Sequence, residues 1–447
     1  MAENADRIPA RPGERRRKLA GIPVRIAGRA VLGAGRKLLG ANAEQIDAEL
    51  DRKAAEQVFA VLGELKGGAM KFGQALSVFE AAIPESVAGP YQEALTKLQS
   101  NAKPMPVHHV HGVLDQQLGT RWRERFEHFD DEPVAAASIG QVHRGVWSSG
   151  RPVAVKVQYP GAAEALRGDL AMLNRYGRAF ARLTRSGDVS ALLAEFSERT
   201  VEELDFRIEA DNQRAFAAAF DGDRNFLVPR VVASAPRVLI TEWLEGIPLS
   251  RVIAEGDRAQ RDRAARLLAE FHLSAPARAG LLHCDPHPGN FMMTADGRLG
   301  VIDFGACARF PRGLPPELGR MVRLAGAGDF DTLAITMRDN GFVQPGQDVE
   351  PAAIAQYLRL ITEPLKSESF HFTRTWLQRS ATSGMGLGNR SDLQTMRAID
   401  LPREYVMIVR VLIGSISMYA QLDARLEFMR LVSELMPGFA DPVSAQA

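Results

Sequence analysis

The stretch that decides the fold is His283-Cys284-Asp285-Pro286-His287-Pro288-Gly289-Asn290, followed after a short spacer by Asp303-Phe304-Gly305. An Asp, an Asn five residues on, and then Asp-Phe-Gly is the residue order of a phosphoryl-transfer site. In that order Asp285 accepts a proton from a hydroxyl or a water. Asn290 and Asp303 supply oxygen ligands for Mg²⁺, a hard cation that prefers such donors. The bland alternative is a strand-turn-strand with incidental acids. The two part upstream, because a phosphoryl-transfer site of the kinase type needs a nucleotide-covering loop, a strand lysine and a helix glutamate, in that order.

All three precede it. Ala135-Ala136-Ala137-Ser138-Ile139-Gly140-Gln141-Val142 fits the kinase loop pattern, with Ala135 and Ala137 replacing its first two glycines and Gly140 and Val142 retained. The methyl groups narrow backbone freedom and fill space over the phosphates, so the loop is expected to be stiff. Val153-Ala154-Val155-Lys156 follows on an apolar strand that points the ammonium at the α- and β-phosphates. A helix is then expected from about residue 189 to 220, carrying Glu202, Glu203, Asp205 and Glu209. Asp205 and Glu209 are four apart and share a face, so either reaches Lys156.

Val238 to Leu244 reads as a buried strand at the junction between two lobes, with the backbone of Glu242 and Leu244 toward the adenine edge. Arg258 to His272 is an amphipathic helix leading into the catalytic loop, and Ala295-Asp296-Gly297 closes a small hairpin before Asp303. Beyond residue 306 the pattern is helical to about 437, with a Gly- and Ser-rich stretch at 380–391. No Ala-Pro-Glu follows the Asp-Phe-Gly, and Cys284 stands where an arginine is expected. Both departures argue against control by a phosphorylated activation segment. His287 also stands where kinases carry a lysine against the transferred phosphate, which predicts slow turnover because a neutral imidazole stabilises less charge.

At 447 residues the chain is long enough for a two-lobed catalytic domain with additions. A net charge of +1 with 24% charged residues describes a soluble globular protein and gives no argument for nucleic acid. The two cysteines, Cys284 and Cys307, both fall in the presumed active centre, which favours small buried residues in a reducing, cytoplasmic compartment over a disulfide. The longest apolar run, Val406 to Ala420, is interrupted by Arg410 and falls short of a membrane span.

Residues 1–40 carry ten basic residues against three acids, a local charge of +7 interleaved with apolar positions. Such a segment lies on an anionic membrane face or is a solvated tail. Between residues 42 and 79 apolar positions recur at helical spacing, and Lys71 and Gln74 share one side of that helix. Residues 80–130 read as further helix with proline breaks, and the β texture begins at Pro133. His108, His109 and His111 lack a neighbouring ligand set and read as surface residues.

Together, Lys71-Phe72-Gly73-Gln74, the alanine loop, Val153 to Lys156, Glu203-Leu204-Asp205, the His283 to Asn290 loop and Asp303 resemble the UbiB family of atypical kinase-like proteins, over about residues 60 to 430. The resemblance implies an α+β, bilobal protein-kinase-like fold with an N-terminal helical extension over the active site. The implied layout is a basic segment at 1–40, the extension at 41–130, an N-lobe at 131–245, a C-lobe at 246–437 and a tail at 438–447. It implies that Lys71 and Gln74 dock over the nucleotide pocket, Lys71 pairing with Glu203, and that Glu209 partners Lys156. It further implies ATP or ADP with Mg²⁺ as cofactors and ATPase activity rather than protein phosphorylation. The implied partners are a lipid or prenyl-quinone precursor, a membrane surface, and other quinone-biosynthesis proteins or a second copy of the chain.

Overall fold

The computed structural model describes residues 104–170 and 201–440, apart from Ser138, Ala165, Asp169 and residues 385–397. The basic segment, the expected helix bearing Lys71 and Gln74, Ser138 and most of the Gly- and Ser-rich stretch at 380–391 therefore lie outside the described residues, as do the side chains of 381–384.

The N-lobe is a five-stranded antiparallel sheet. Helix α1 (Val107–Leu118) turns Val110, Val113 and Leu114 to one side, the i, i+3, i+4 spacing of a buried face. Strands β1 (Phe126–Ala137), β2 (Gly140–Trp147) and β3 (Pro152–Gln158) follow, then helix α2 (Phe206–Ala219), β4 (Phe226–Leu227), β5 (Val231–Ala235) and β6 (Val238–Glu242). The sheet order is β1-β2-β3-β6-β5. Val153, Val155 and Val157 alternate inward from β3 and meet α1, Trp122 and Ile240 in one core.

Strand structure starts at Phe126, upstream of the expected Pro133. β1 is an edge strand in which only Phe126 is buried, so its Glu, Asp and His residues face water and mask the pattern. Helix α2 likewise begins at Phe206 instead of running through from residue 189. Leu204 and Asp205 sit outside it, and Asp205 is its N-cap.

The linker at 243–246 leads into the C-lobe. Its early elements include β7 (Ile247–Pro248) and α3 (Arg258–Ala279), which opens with a capping box between Asp257 and Gln260. α3 continues past His272 and past Pro276 and stops at Gly280, whose φ of +66° suits glycine. β8 (Leu281–His283), β9 (Phe291–Met293), β10 (Leu299–Val301) and β11 (Cys307–Arg309) frame the catalytic loop. β8 pairs with β11, and β10 lies between β9 and β4. Helices α4 (Pro316–Ala327) and α5 (Arg403–Gln421) belong to the large C-lobe core, whose centre holds Phe216, Phe271, Phe291 and Phe304.

Candidate active site

Each functional side chain is aimed by the element that carries it. The alternation that buries the β3 valines sends Lys156 the other way, where Nζ donates to Glu209 Oε1 at 2.8 Å, Glu209 Oε2 at 2.9 Å and Asp303 Oδ2 at 3.0 Å. The three side chains are 14%, 3% and 32% exposed, so the cluster is only partly hydrated. Burial pulls the Lys156 ammonium down, but the Asp303 and Glu209 carboxylates outweigh it and the net shift is upward. Lys156 is therefore charged.

Of the two acids that share a face in sequence, Asp205 is spent on the helix end. Its carboxylate accepts from the Arg207 N–H at 3.0 Å and pairs with the Arg207 guanidinium, which holds it below the usual carboxylate range. Glu209, in the first turn of α2, faces Lys156. The same helix reaches the Asp-Phe-Gly turn, where Asn212 Nδ2 donates to the Phe304 carbonyl at 3.1 Å. Glu203 is buried in the turn before α2. A Cβ placed on Gly305 would lie 3.6 Å from Glu203 Cγ, 3.7 Å from Glu209 Oε2 and 3.3 Å from Asp303 Oδ1, so the three acids surround that glycine.

The catalytic loop is closed by its own residues. Asn290 Nδ2 donates to Asp285 Oδ2 at 2.8 Å and to the Asp285 carbonyl at 3.0 Å. With the amide nitrogen spent on Asp285, the amide oxygen is the atom Asn290 offers to a cation. His287 accepts from the Gly289 N–H through Nδ1 at 3.1 Å. Behind the loop, His283 Nε2 lies 2.7 Å from the Asp303 carbonyl, so that nitrogen carries the proton. Burial pushes the pKa of His283 down and that of neighbouring His272 to about 3, so both rings are neutral. Asp303 itself is held by the Gly305 N–H on Oδ1 at 3.0 Å.

The stretches expected to meet the nucleotide are set by backbone pairing. Ala135, Ala136 and Ala137 pair with Val142, Gln141 and Gly140 as the end of the β1–β2 hairpin. Gly140 cannot carry a side chain, because its Cβ would fall 2.3 Å from the Val157 carbonyl. Glu242 ends β6 with its carboxylate turned to the Arg230 N–H and Arg151, and Leu244 is buried in the linker. One carboxylate and one amide oxygen make a donor set that fits Mg²⁺ completed by phosphate oxygens. Among the described residues, no group of three or more His, Cys, Asp or Glu is gathered to hold a metal.

The chain is similar to known proteins. A family model described as an ABC1 atypical kinase-like domain matches residues 97–334. The chain belongs to the ABC1 atypical kinase-like family. The UbiB resemblance and the α+β kinase-like fold are thereby borne out. The ABC1 chain is 51% identical to Rv3197 of Mycobacterium tuberculosis, solved as a complex with erythromycin, covering 90% of this chain and 100% of that one with a TM-score of 0.69. It is 29% identical to the mitochondrial atypical kinase COQ8B of Danio rerio, over 74% of this chain and 53% of the relative. It is 30% identical to the mitochondrial atypical kinase coq-8 of Caenorhabditis elegans, over 66% of this chain and 39% of the relative. The ABC1 chain thus spans about half or less of the length of these curated relatives.

Within the ABC1 fold the structure brings together Lys156, Glu209 and Asp303, with Glu203 beside them and Asp285 joined to Asn290. Asp205 is turned aside to cap α2. Ser138 and the Lys71–Gln74 pair, with any contact of Lys71 to Glu203, lie outside the described residues. Cys284 and Cys307 are buried and not joined in a disulfide, and burial pushes Cys307 up. Of the three histidines near residue 110, His111 pairs with Asp131 at 2.7 Å. Among the described residues no helix is long and apolar enough to cross a membrane. One residue of the site was missed in sequence: Arg410 of α5 places Nη2 3.7 Å from Asp285 Oδ1. Its only signal was a charge inside an otherwise apolar helical run.

Proposed function

We propose that this ABC1-family protein is a Mg²⁺-dependent ATPase whose nucleotide state governs handling of a prenyl-quinone precursor or related lipid at a membrane surface. One observation carries the reading: Lys156 donates to both Glu209 and Asp303, and Asn290 donates to Asp285 in the loop that precedes Asp303.

In this reading the β1–β2 hairpin from Ala135 to Val142 covers ATP or ADP, and the backbone of Glu242 and Leu244 meets the adenine edge. Lys156 exchanges its contact with Asp303 for the α- and β-phosphates while Glu209 keeps its ammonium oriented. Asn290 Oδ1 and Asp303 hold Mg²⁺, which supplies positive charge against the phosphates. Asp285 takes the proton from the attacking water. His287, already accepting from the Gly289 N–H, adds little cationic stabilisation, so turnover is slow. The basic segment at 1–40 supports peripheral attachment to the inner face of the cell membrane, and Lys71, Gln74 and Glu203 are assigned to closing the pocket from above. Other quinone-biosynthesis proteins or a second copy of this chain are the expected protein partners.

Purified protein should hydrolyse ATP with Mg²⁺, faster with anionic liposomes and phenolic quinone-precursor mimics, and Asp303→Asn should abolish it. Tight nucleotide binding without hydrolysis under all these conditions would sink the ATPase reading in favour of a nucleotide-binding scaffold. A second reading, phosphotransfer to a small molecule, is favoured by the erythromycin complex of the Mycobacterium tuberculosis relative, since erythromycin is a bulky hydroxylated ligand. In that case label from [γ-³²P]ATP should appear on an added acceptor and disappear in Asp285→Asn.

A further inference from the structure

We propose that Arg410 is a positioning residue for Asp285: a guanidinium supplied by α5, far away in sequence, that fixes and charge-balances the carboxylate of the catalytic loop. The inference rests on the ATP-turnover reading and adds to it the residue that orients the base.

One oxygen of the carboxylate is hydrogen-bonded and the other faces a cation. Asn290 takes Asp285 Oδ2 at 2.8 Å from within the loop, and Arg410 Nη2 stands 3.7 Å from Oδ1. Asp285 and Arg410 are 10% and 26% exposed, so the pair sits where water screens it less than at the surface. The loop contributes no strong cation of its own, because residue 284 is a cysteine and residue 287 a histidine occupied by the Gly289 N–H.

The position of Arg410 is itself fixed. Tyr405, Ile408, Val411 and Ser415 of α5 are buried, and Ser415 Oγ lies 3.1 Å from His272 Nδ1 on α3. The His272 ring stands 6.1 Å from that of His283, at the base of the catalytic loop. α5 is therefore tied to the loop twice, once beneath it through Ser415 and His272 and once beside Asp285 through Arg410. A side chain held in that way constrains the carboxylate it faces, which a mobile surface arginine would not do.

The test is a double-mutant cycle on the full chain with Arg410→Met, Asp285→Asn and the pair, read first by thermal midpoint without nucleotide. Arg410→Met should lower the midpoint by roughly 1–2 °C in the parent and by less than about 0.5 °C in the Asp285→Asn background. In steady-state hydrolysis Arg410→Met should lower kcat by about tenfold or more with KM for ATP changed by less than about twofold, and Arg410→Lys should recover most of it. An equal midpoint loss in both backgrounds would overturn the proposal, leaving Arg410 a packing role. A raised KM with unchanged kcat would also overturn it, placing the guanidinium on the nucleotide instead. If the parent hydrolyses no ATP, the ATPase reading fails while the thermal cycle still decides the coupling. Should Arg410→Met not fold, Arg410→Lys and Arg410→Gln run the same cycle.

Discussion

Lys156 meets its partners across 53 residues to Glu209 and 147 to Asp303, whereas Asp285 and Asn290 are five apart in one loop. The first cluster forms only when β3, α2 and the Asp-Phe-Gly turn are all in place, and its one ammonium is shared by two carboxylates in a half-dry setting. The second forms as soon as one tight loop closes, backed by the neutral rings of His283 and His272. The long-range cluster should therefore matter most to folding stability, and the local loop most to chemistry.

The largest expected effect tests that division directly. Lys156→Met leaves the 3% exposed Glu209 without its nearest ammonium, and losing one partner of a buried pair costs about 3–5 kcal/mol. Thermal or urea denaturation should show that loss, with part of it recovered in Lys156→Met/Glu209→Gln. Asp285→Asn should change stability by only about 1 kcal/mol yet lower turnover by roughly 10²-fold or more. Equal destabilisation by the two substitutions would erase the distinction between the clusters.

The second effect separates the clusters by pH. His272, 5% exposed, titrates at about 3 in the folded chain against 6.5 ordinarily. Below pH 6.5 the unfolded chain takes up a proton that the folded chain refuses, so this stability is complete above that pH and is lost as pH falls toward 3. At pH 5 the loss is about 2 kcal/mol, and His283, lowered for the same reason of burial, adds to it in the same direction. Lys156 is shifted upward, so its contribution is fully present below its ordinary 10.5 and is flat between pH 5 and 7.5. Urea midpoints at pH 7.5 and 5 should differ in the parent and converge in His272→Gln.

The same division separates what sequence alone discloses from what it does not. The loop from His283 to Asn290 is legible because its chemistry is contained in consecutive residues, and Lys156 is legible because its strand alternates. Which acid meets Lys156 is not legible: Asp205 and Glu209 are four apart, and only the helix start at Phe206 turns Asp205 into a cap. The helix read over Arg258 to His272 runs on through Pro276 to the left-handed Gly280, seven residues further than its amphipathic pattern discloses. Arg410 is legible only as a charge that interrupts an apolar run, and its role is not, since its partner is distant in sequence and lies in another element.

A smaller effect probes the helix that aims Glu209. Asp205→Ala removes the N-cap and the Arg207 contact, which should cost about 1 kcal/mol and lower the thermal midpoint by about 1 °C. Because Glu209 follows within the first turn, ATP affinity should weaken along with stability, whereas Arg207→Ala, which leaves the capping carboxylate in place, should affect both less. A stability loss with unchanged nucleotide affinity would mean that α2 is held in register by its packing alone.

The smallest effect concerns the linker that joins the two halves of the comparison. Arg144 of β2 lies with its guanidinium 4.9 Å from the Trp243 ring centroid and 3.6 Å from Glu245, both in the linker. With Arg144 46% and Glu245 80% exposed, water screens the ion pair, and the stacked guanidinium contributes about 0.5–1 kcal/mol. Arg144→Gln should leave the thermal midpoint within about 2 °C of the parent and change nucleotide affinity by less than about twofold, read by fluorescent-nucleotide titration. The reason is that Glu242 and Leu244 are already anchored independently, Glu242 by the Arg230 N–H and β3, and Leu244 by burial. An affinity loss of tenfold would show instead that the surface clasp on Trp243 sets the linker's shape, and that the two clusters communicate through it.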